Sequence, residues 1–141
     1  MKISIVFPSV MYRKGPRGMK KLIMAFEEIG FDAMDMFDHV VMGYPTKSRK
    51  APFHPPPPMP IMEAMTMLSF SAGITEKIVL GTSVLVLPQR QVALVVKQAS
   101  SIYTLSAGRL RLGVGIGWQG SECQALDENF KTRGESSCWA S

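Results

Sequence analysis

Three short stretches of this chain set chemically useful residues close together: Asp38-His39, Gly81-Thr82-Ser83-Val84 and Gly113-Val114-Gly115-Ile116-Gly117-Trp118. An imidazole exchanges protons near neutral pH, and a neighbouring carboxylate can orient a bound ligand. Glycine at every second position clears one face of a strand, so a flat ligand or another backbone can come close. Trp118 then adds a broad planar surface. Gly81 inside an apolar run points to a bulge or a close backbone approach, for structural need or for ligand contact alike. Each stretch alone has a plainer explanation, His39 as an exposed loop histidine above all. Together they fall at the ends of three expected strands, and in parallel α/β proteins those ends are where ligands bind.

The elements that would position them alternate along the chain. Ile3 to Phe7 reads as a strand closed by Pro8. A helix is expected from about Gly18 to Ile29, with Leu22, Ile23, Phe26 and Ile29 on one face and Gly30 at its C-cap. Ala33 to Phe37 reads as the second strand, the least strand-like of the set. Val40 to Pro60 is a loop, and its run His54-Pro55-Pro56-Pro57-Pro58-Met59-Pro60 excludes helix and central strand. A stiff connection that shapes a pocket suits this run better than a polyproline ligand, and His54 within it carries no chemistry.

Ile61 to Gly73 suits a helix, with Ile61, Ala64, Met65, Leu68 and Ala72 on one side. Ile78 to Leu87 is nearly continuous apolar sequence, as in a strand covered on both faces of a parallel sheet. Gln91 to Leu105 is the clearest helix, its stripe made of Val92, Val95, Val96, Ala99, Ile102 and Leu105. Leu110 starts a fourth strand. The glycines after it do not match a dinucleotide-binding fingerprint, and no helix start is evident behind them. Met34, Met36, Met62, Met65 and Met67 read as core filler. The βαβαβαβ order implies a parallel sheet with right-handed crossovers, either open and doubly wound or the first half of a (β/α)8 barrel.

Bulk properties narrow the function classes. At 141 residues and 46% hydrophobic content the chain is one domain with a core of its own. No apolar stretch is long enough to span a bilayer and none resembles a signal peptide, so no membrane role and a cytoplasmic location are expected. The net charge is +5, with a local cluster at Arg13, Lys14, Arg17, Lys20 and Lys21. Tyr12 is its one aromatic neighbour, so a solvated helix face is expected and no nucleic-acid site. Cys123 and Cys138 lack metal-ligand spacing with either histidine; free thiols and no metal are expected.

Taken in order, several segments resemble the bacterial luciferase-like monooxygenase superfamily, particularly its F420-dependent oxidoreductase branch. They are residues 27–33 (Glu27 to Ala33), Asp38-His39-Val40, Leu80 to Pro88, Gln98-Ala99, Leu105 to Leu110, Gly113 to Trp118 and Phe130 to Gly134. The resemblance covers residues 1–134 and implies an α/β fold, the first half of a (β/α)8 TIM barrel with about four parallel strands. It implies a deazaflavin, F420, or alternatively FMN, bound at the strands' C-terminal ends. It makes His39 the proton donor or acceptor, with Asp38 beside it facing the ring. A non-proline cis peptide that supports the ring would map to Ser83-Val84, with Thr82, Ser83 and Val84 as cofactor-binding residues. Gly117, Trp118 and Ser121 would line the cofactor cleft.

The activity so implied is hydride transfer between a small organic substrate and F420. An FMN-dependent monooxygenase using reduced flavin and oxygen is one alternative. A catalytically silent half-barrel, acting as subunit or binding module, is another. Residues 135–141 depart from the family's pattern and read as a divergent or truncated tail. Four strands of a barrel leave two unpaired edges, so a homo-oligomer is expected.

Overall fold

The computed structural model describes residues 1–8, 13–41 and 61–136. The proline run, His54, Tyr12, Cys138 and most of the expected tail lie outside the described residues.

Strand β1 (Ser4–Val6) is followed by helix α1 (Gly15–Ile29). The helix starts ahead of the expected Gly18 because Pro16 sits in its first turn, where a missing N–H costs nothing. Met19, Ile23 and Phe26 bury one face. Gly30 closes the helix at φ 96°, its N–H turned back to the Phe26 and Glu27 carbonyls. Ile29, expected on the buried face, is exposed at the helix end. The basic residues Arg13, Lys14, Arg17, Lys20 and Lys21 are all exposed, as a solvated face requires.

Strand β2 (Ala33–Met36) is buried throughout despite its weak strand character. Helix α2 (Ala64–Ala72) begins behind Glu63, whose carboxylate accepts from the Met65 and Thr66 amides. The third strand is split into β3 (Val79–Thr82) and β4 (Leu85–Val86), with a one-turn 3-10 helix (Leu87–Gln89) behind it. Helix α3 (Val92–Leu105) follows, then β5 (Leu110–Arg111) and β6 (Val114–Gly115), which together make the fourth strand. Two short helices end the described chain, α4 (Gly120–Ala125) and α5 (Arg133–Ser136).

All strand pairs are parallel, in the order β1-β2-β3-β5, with β4 beside β6. A doubly wound sheet reverses its strand order part-way. This sheet does not, so it is built as the first four strands of a barrel. Register fixes the two faces. Ile5, Met34, Leu80 and Leu110 lie abreast on the helix side and pack into the core with Ile23, Phe26, Met65, Leu68 and Ile102. Each fully buried side chain of this size stabilises by about 1.5–3 kcal/mol. Met36 and Met67 join the same core, with Met62 packed against it.

Val6, Asp35, Gly81 and Arg111 lie abreast on the other face. Here Arg111 donates to both oxygens of Asp35 at 2.7 Å and to Ser4 Oγ at 3.1 Å. A side chain at position 81 would collide with the Asp35 carboxylate, which explains the glycine there.

At the opposite end from the candidate site, one connection is tied from two sides. Glu27 accepts from the amides of Glu76, Lys77 and Ile78. Arg109 donates to the carbonyls of Ile78, Thr75 and Ser106 at 2.7–2.8 Å. Helix α3 departs from expectation: Val95 and Ile102 are buried, but Val96 and Leu105 are 62% and 65% exposed. The described chain provides no further helix to cover that flank. No helix among the described residues is long and apolar enough to cross a membrane.

Candidate active site at the strand ends

Asp38 and His39 follow the end of β2 and engage different partners. Asp38 is buried, and its carboxylate accepts from Arg90 (2.6 Å to Oδ1, 3.1 Å to Oδ2) and from the Val86 amide at 3.0 Å. Arg90 also reaches Glu63 at 3.0 Å. Burial lowers the guanidinium's proton affinity, but the Asp38 and Glu63 carboxylates outweigh this and hold it above its ordinary value. Asp38, expected to face a bound ring, is engaged here in a buried ion pair. That pair fastens the β2 tip to the turn after β4.

His39 stays partly open, and its Nδ1 lies 3.1 Å from Glu122 Oε2. The other carboxylate oxygen of Glu122 accepts from the Val40 and Val41 amides at 2.7 and 3.1 Å. Glu122 is 1% exposed. Burial pushes its carboxyl upward, yet the hydrogen bonds from His39, Val41 and Val40 win and hold it below the ordinary carboxylate value. The His39 ring also stands edge-on to Trp118, with centroids 5.9 Å apart and planes at 88°. Trp118 itself is about half exposed.

The third and fourth strands meet through a repaired gap. The Ser83–Val84 peptide is cis. Where the ladder is interrupted, the Thr82 hydroxyl donates to the Gly113 carbonyl at 2.7 Å and accepts from the Gly113 amide at 3.0 Å. Ser83 donates its amide to the Met36 carbonyl at 2.7 Å. The face that the alternating glycines clear is taken by the neighbouring strand: a side chain at Gly113 would strike the Thr82 carbonyl, and one at Gly115 would lie 2.5 Å from Val84 Cγ2. On that face Gly113 admits the backbone of Thr82 and Gly115 the side chain of Val84. Val84 remains exposed.

Gly117 has φ 74°, and its carbonyl accepts from Arg133 Nε at 3.1 Å. Ser121 is half-buried and accepts from Gln119 Nε2 at 3.1 Å. The Oε1 atoms of Gln89 and Gln119 are buried without a partner among the described residues.

Of the residues expected from sequence, the structure brings His39 and Trp118 together and packs Val84 over the Gly113–Gly115 strand. Thr82 and Gly117 shape the backbone beneath them. Sequence reasoning missed Glu122 and Arg90. Glu122 lies on α4, which starts two residues after Trp118 where no helix start was evident, since Gln119-Gly120 carries no cap signal. Cys123 beside it is buried and free, as expected.

A family model described as luciferase-like monooxygenase matches residues 1–135. The chain belongs to this family. An F420-dependent glucose-6-phosphate dehydrogenase from Intrasporangium calvum is 33% identical over 104 residues, which are 73% of this chain and 28% of that protein. Among solved structures, an F420-dependent secondary alcohol dehydrogenase in complex with an F420-acetone adduct superposes with a TM-score of 0.72 at 21% identity, covering 99% of this chain and 40% of that one. The oxygenating constituent of 3,6-diketocamphane monooxygenase from a Pseudomonas putida plasmid, in complex with FMN, gives 0.72 at 16% identity, covering 99% and 38%. The fold is thus that of the TIM-barrel luciferase-like enzymes, and the chain spans well under half the length of each of these relatives.

Proposed function

We propose that this chain forms the ring-binding face and carries the proton-handling histidine of an F420-dependent oxidoreductase acting on a small organic substrate. The observation that carries the reading is His39, held by buried Glu122 and set edge-on to exposed Trp118 at the strands' C-terminal ends. The residues present fit a flat heterocycle. Val84 and Trp118 offer exposed apolar surface, and the Gln119 oxygen beside Trp118 is a buried acceptor without a donor among the described residues. Ser83 and Ser121 would add hydroxyls at the rim, while Thr82, Gly117 and the Asp38–Arg90 pair hold the frame. When bound, F420 would supply hydride chemistry at the deazaflavin ring. His39 would hold or release the accompanying proton, and Trp118 would keep water from one side of it.

The relative named as F420-dependent at 33% identity supports the deazaflavin. The likeness to a structure holding FMN supports the second reading, a monooxygenase using reduced flavin and oxygen. A silent half-barrel acting as subunit or binding module is the third. The proposal places the chain in the cytoplasm as a homo-oligomer, with neither nucleic acid nor membrane as partner. Fluorescence titration of the full chain with F420 and with FMN separates the readings. Saturable binding of F420 in preference to FMN is expected; preference for FMN selects the second reading, and binding of neither selects the third.

A further inference from the structure

Glu122 reaches His39 from 83 positions away in sequence, and what its second oxygen does decides what the ring can do. Oε1 takes two backbone N–H groups, those of Val40 and Val41. An amide N–H can only donate, so this oxygen is an acceptor twice over. An ionised carboxylate has no proton to give from its other oxygen either. The carboxyl's depressed proton affinity agrees with that state. The hydrogen in the 3.1 Å contact between Oε2 and His39 Nδ1 must then come from the ring.

We infer that Glu122 is a positioning residue that fixes His39 as its Nδ1–H tautomer and leaves Nε2 as the nitrogen that takes and returns a proton. Which ring nitrogen carries hydrogen is set by the bond that the other one makes. Nothing else described competes for Nδ1. The Asp38 carboxylate, although adjacent in sequence, is consumed by Arg90 and the Val86 amide. Trp118, edge-on at 5.9 Å, and Phe37, at 6.4 Å, flank the ring and oppose its rotation. The same carboxylate holds the backbone amides of Val40 and Val41, so that backbone and the histidine's orientation are set by one group. The tautomer follows from this geometry and the charge on Glu122; its service to hydride chemistry at Nε2 rests on the function proposed above.

The substitution Glu122→Gln separates the two jobs. The Gln carbonyl can still accept from Val40 and Val41, but its NH2 then faces His39 Nδ1, which must become an acceptor. The ring proton would move to Nε2. The test is a long-range ¹H–¹⁵N correlation spectrum of the ¹⁵N-labelled full chain at about pH 8, where an ordinary histidine is neutral. His54→Gln assigns the second histidine. In the wild type, Nδ1 of His39 is expected in the protonated range and Nε2 in the bare range. In E122Q the two should exchange ranges, with the Val40 and Val41 amides still protected from solvent exchange.

A wild-type spectrum with the proton on Nε2 overturns the inference, as does an E122Q spectrum unchanged from wild type. If E122Q does not fold, the wild-type spectrum alone decides. Failure of the cofactor reading would appear in the titrations with F420 and FMN and leave these spectra as they are.

Discussion

Replacing Arg90 by methionine should be among the most destabilising single changes in this chain. The Asp38 side chain is 1% exposed and that of Arg90 12%, so their pair is shielded from water. R90M deletes the 2.6 and 3.1 Å hydrogen bonds and leaves the carboxylate with the Val86 amide as its one remaining donor among the described residues. Removing one partner of a buried pair costs about 3–5 kcal/mol, and partial access to Arg90 favours the lower end. D38N should cost less, about 1–2 kcal/mol, because Arg90 keeps its 3.0 Å contact with Glu63. The double variant should be more stable than the sum of the two predicts, since no unpaired charge stays buried. Urea unfolding at neutral pH, followed by tryptophan fluorescence, would show R90M as a midpoint shift of roughly 1 M or more. A loss under about 1 kcal/mol for R90M, or strict additivity in the cycle, would refute the buried-pair argument.

Gly113→Ala should cost about 1–3 kcal/mol, because the new methyl meets the Thr82 carbonyl and backbone cannot swing aside; thermal melts matching wild type would contradict it. In a cofactor-loaded form, His39→Gln should lower turnover by roughly 10²–10⁴-fold with cofactor affinity nearly intact, and unchanged turnover would remove His39 from the chemistry. Burial raises the Glu27 carboxyl's proton affinity, but the amides of Ile78, Lys77 and Glu76 outweigh it and hold the group below its ordinary 4.5. A depressed carboxylate stabilises fully above its unfolded value and loses that contribution as pH falls through its folded one. The stability gap between wild type and E27Q should thus be constant at neutral pH and close below about 4.5; a gap unchanged in acid would rule this out. Val6 at one sheet edge and Val114 at the other are 50% and 52% exposed, which predicts self-association with a second copy. Sedimentation at micromolar concentration should show a dimer or larger species, and a stable compact monomer would count against it.

Alternation was legible because it is local. The continuous apolar run after Ile78 and the break near Ser83 are written in adjacent residues, and both appear in the split third strand. Gly30 as a C-cap and Met34, Met36, Met65 and Met67 as core filler are read the same way. What escaped depends on distance. Asp38 and Arg90 are 52 positions apart and His39 and Glu122 83, so no window of sequence shows that either carboxylate is spoken for. The apolar stripe on α3 misled for the opposite reason. Periodicity reports a face able to be buried, and Val96 and Leu105 have nothing described to bury them.

The connection before β3 has a consequence for how this protein tolerates change. Glu27 and Arg109 grip residues 75–78 almost entirely through main-chain amides and carbonyls. Main-chain recognition is blind to which side chain is carried, and Glu76 and Lys77 point to solvent. Those two positions are therefore free to drift in identity while the turn keeps its shape. The constraint is displaced onto two residues far from the turn in sequence, where a variation survey would not think to find it.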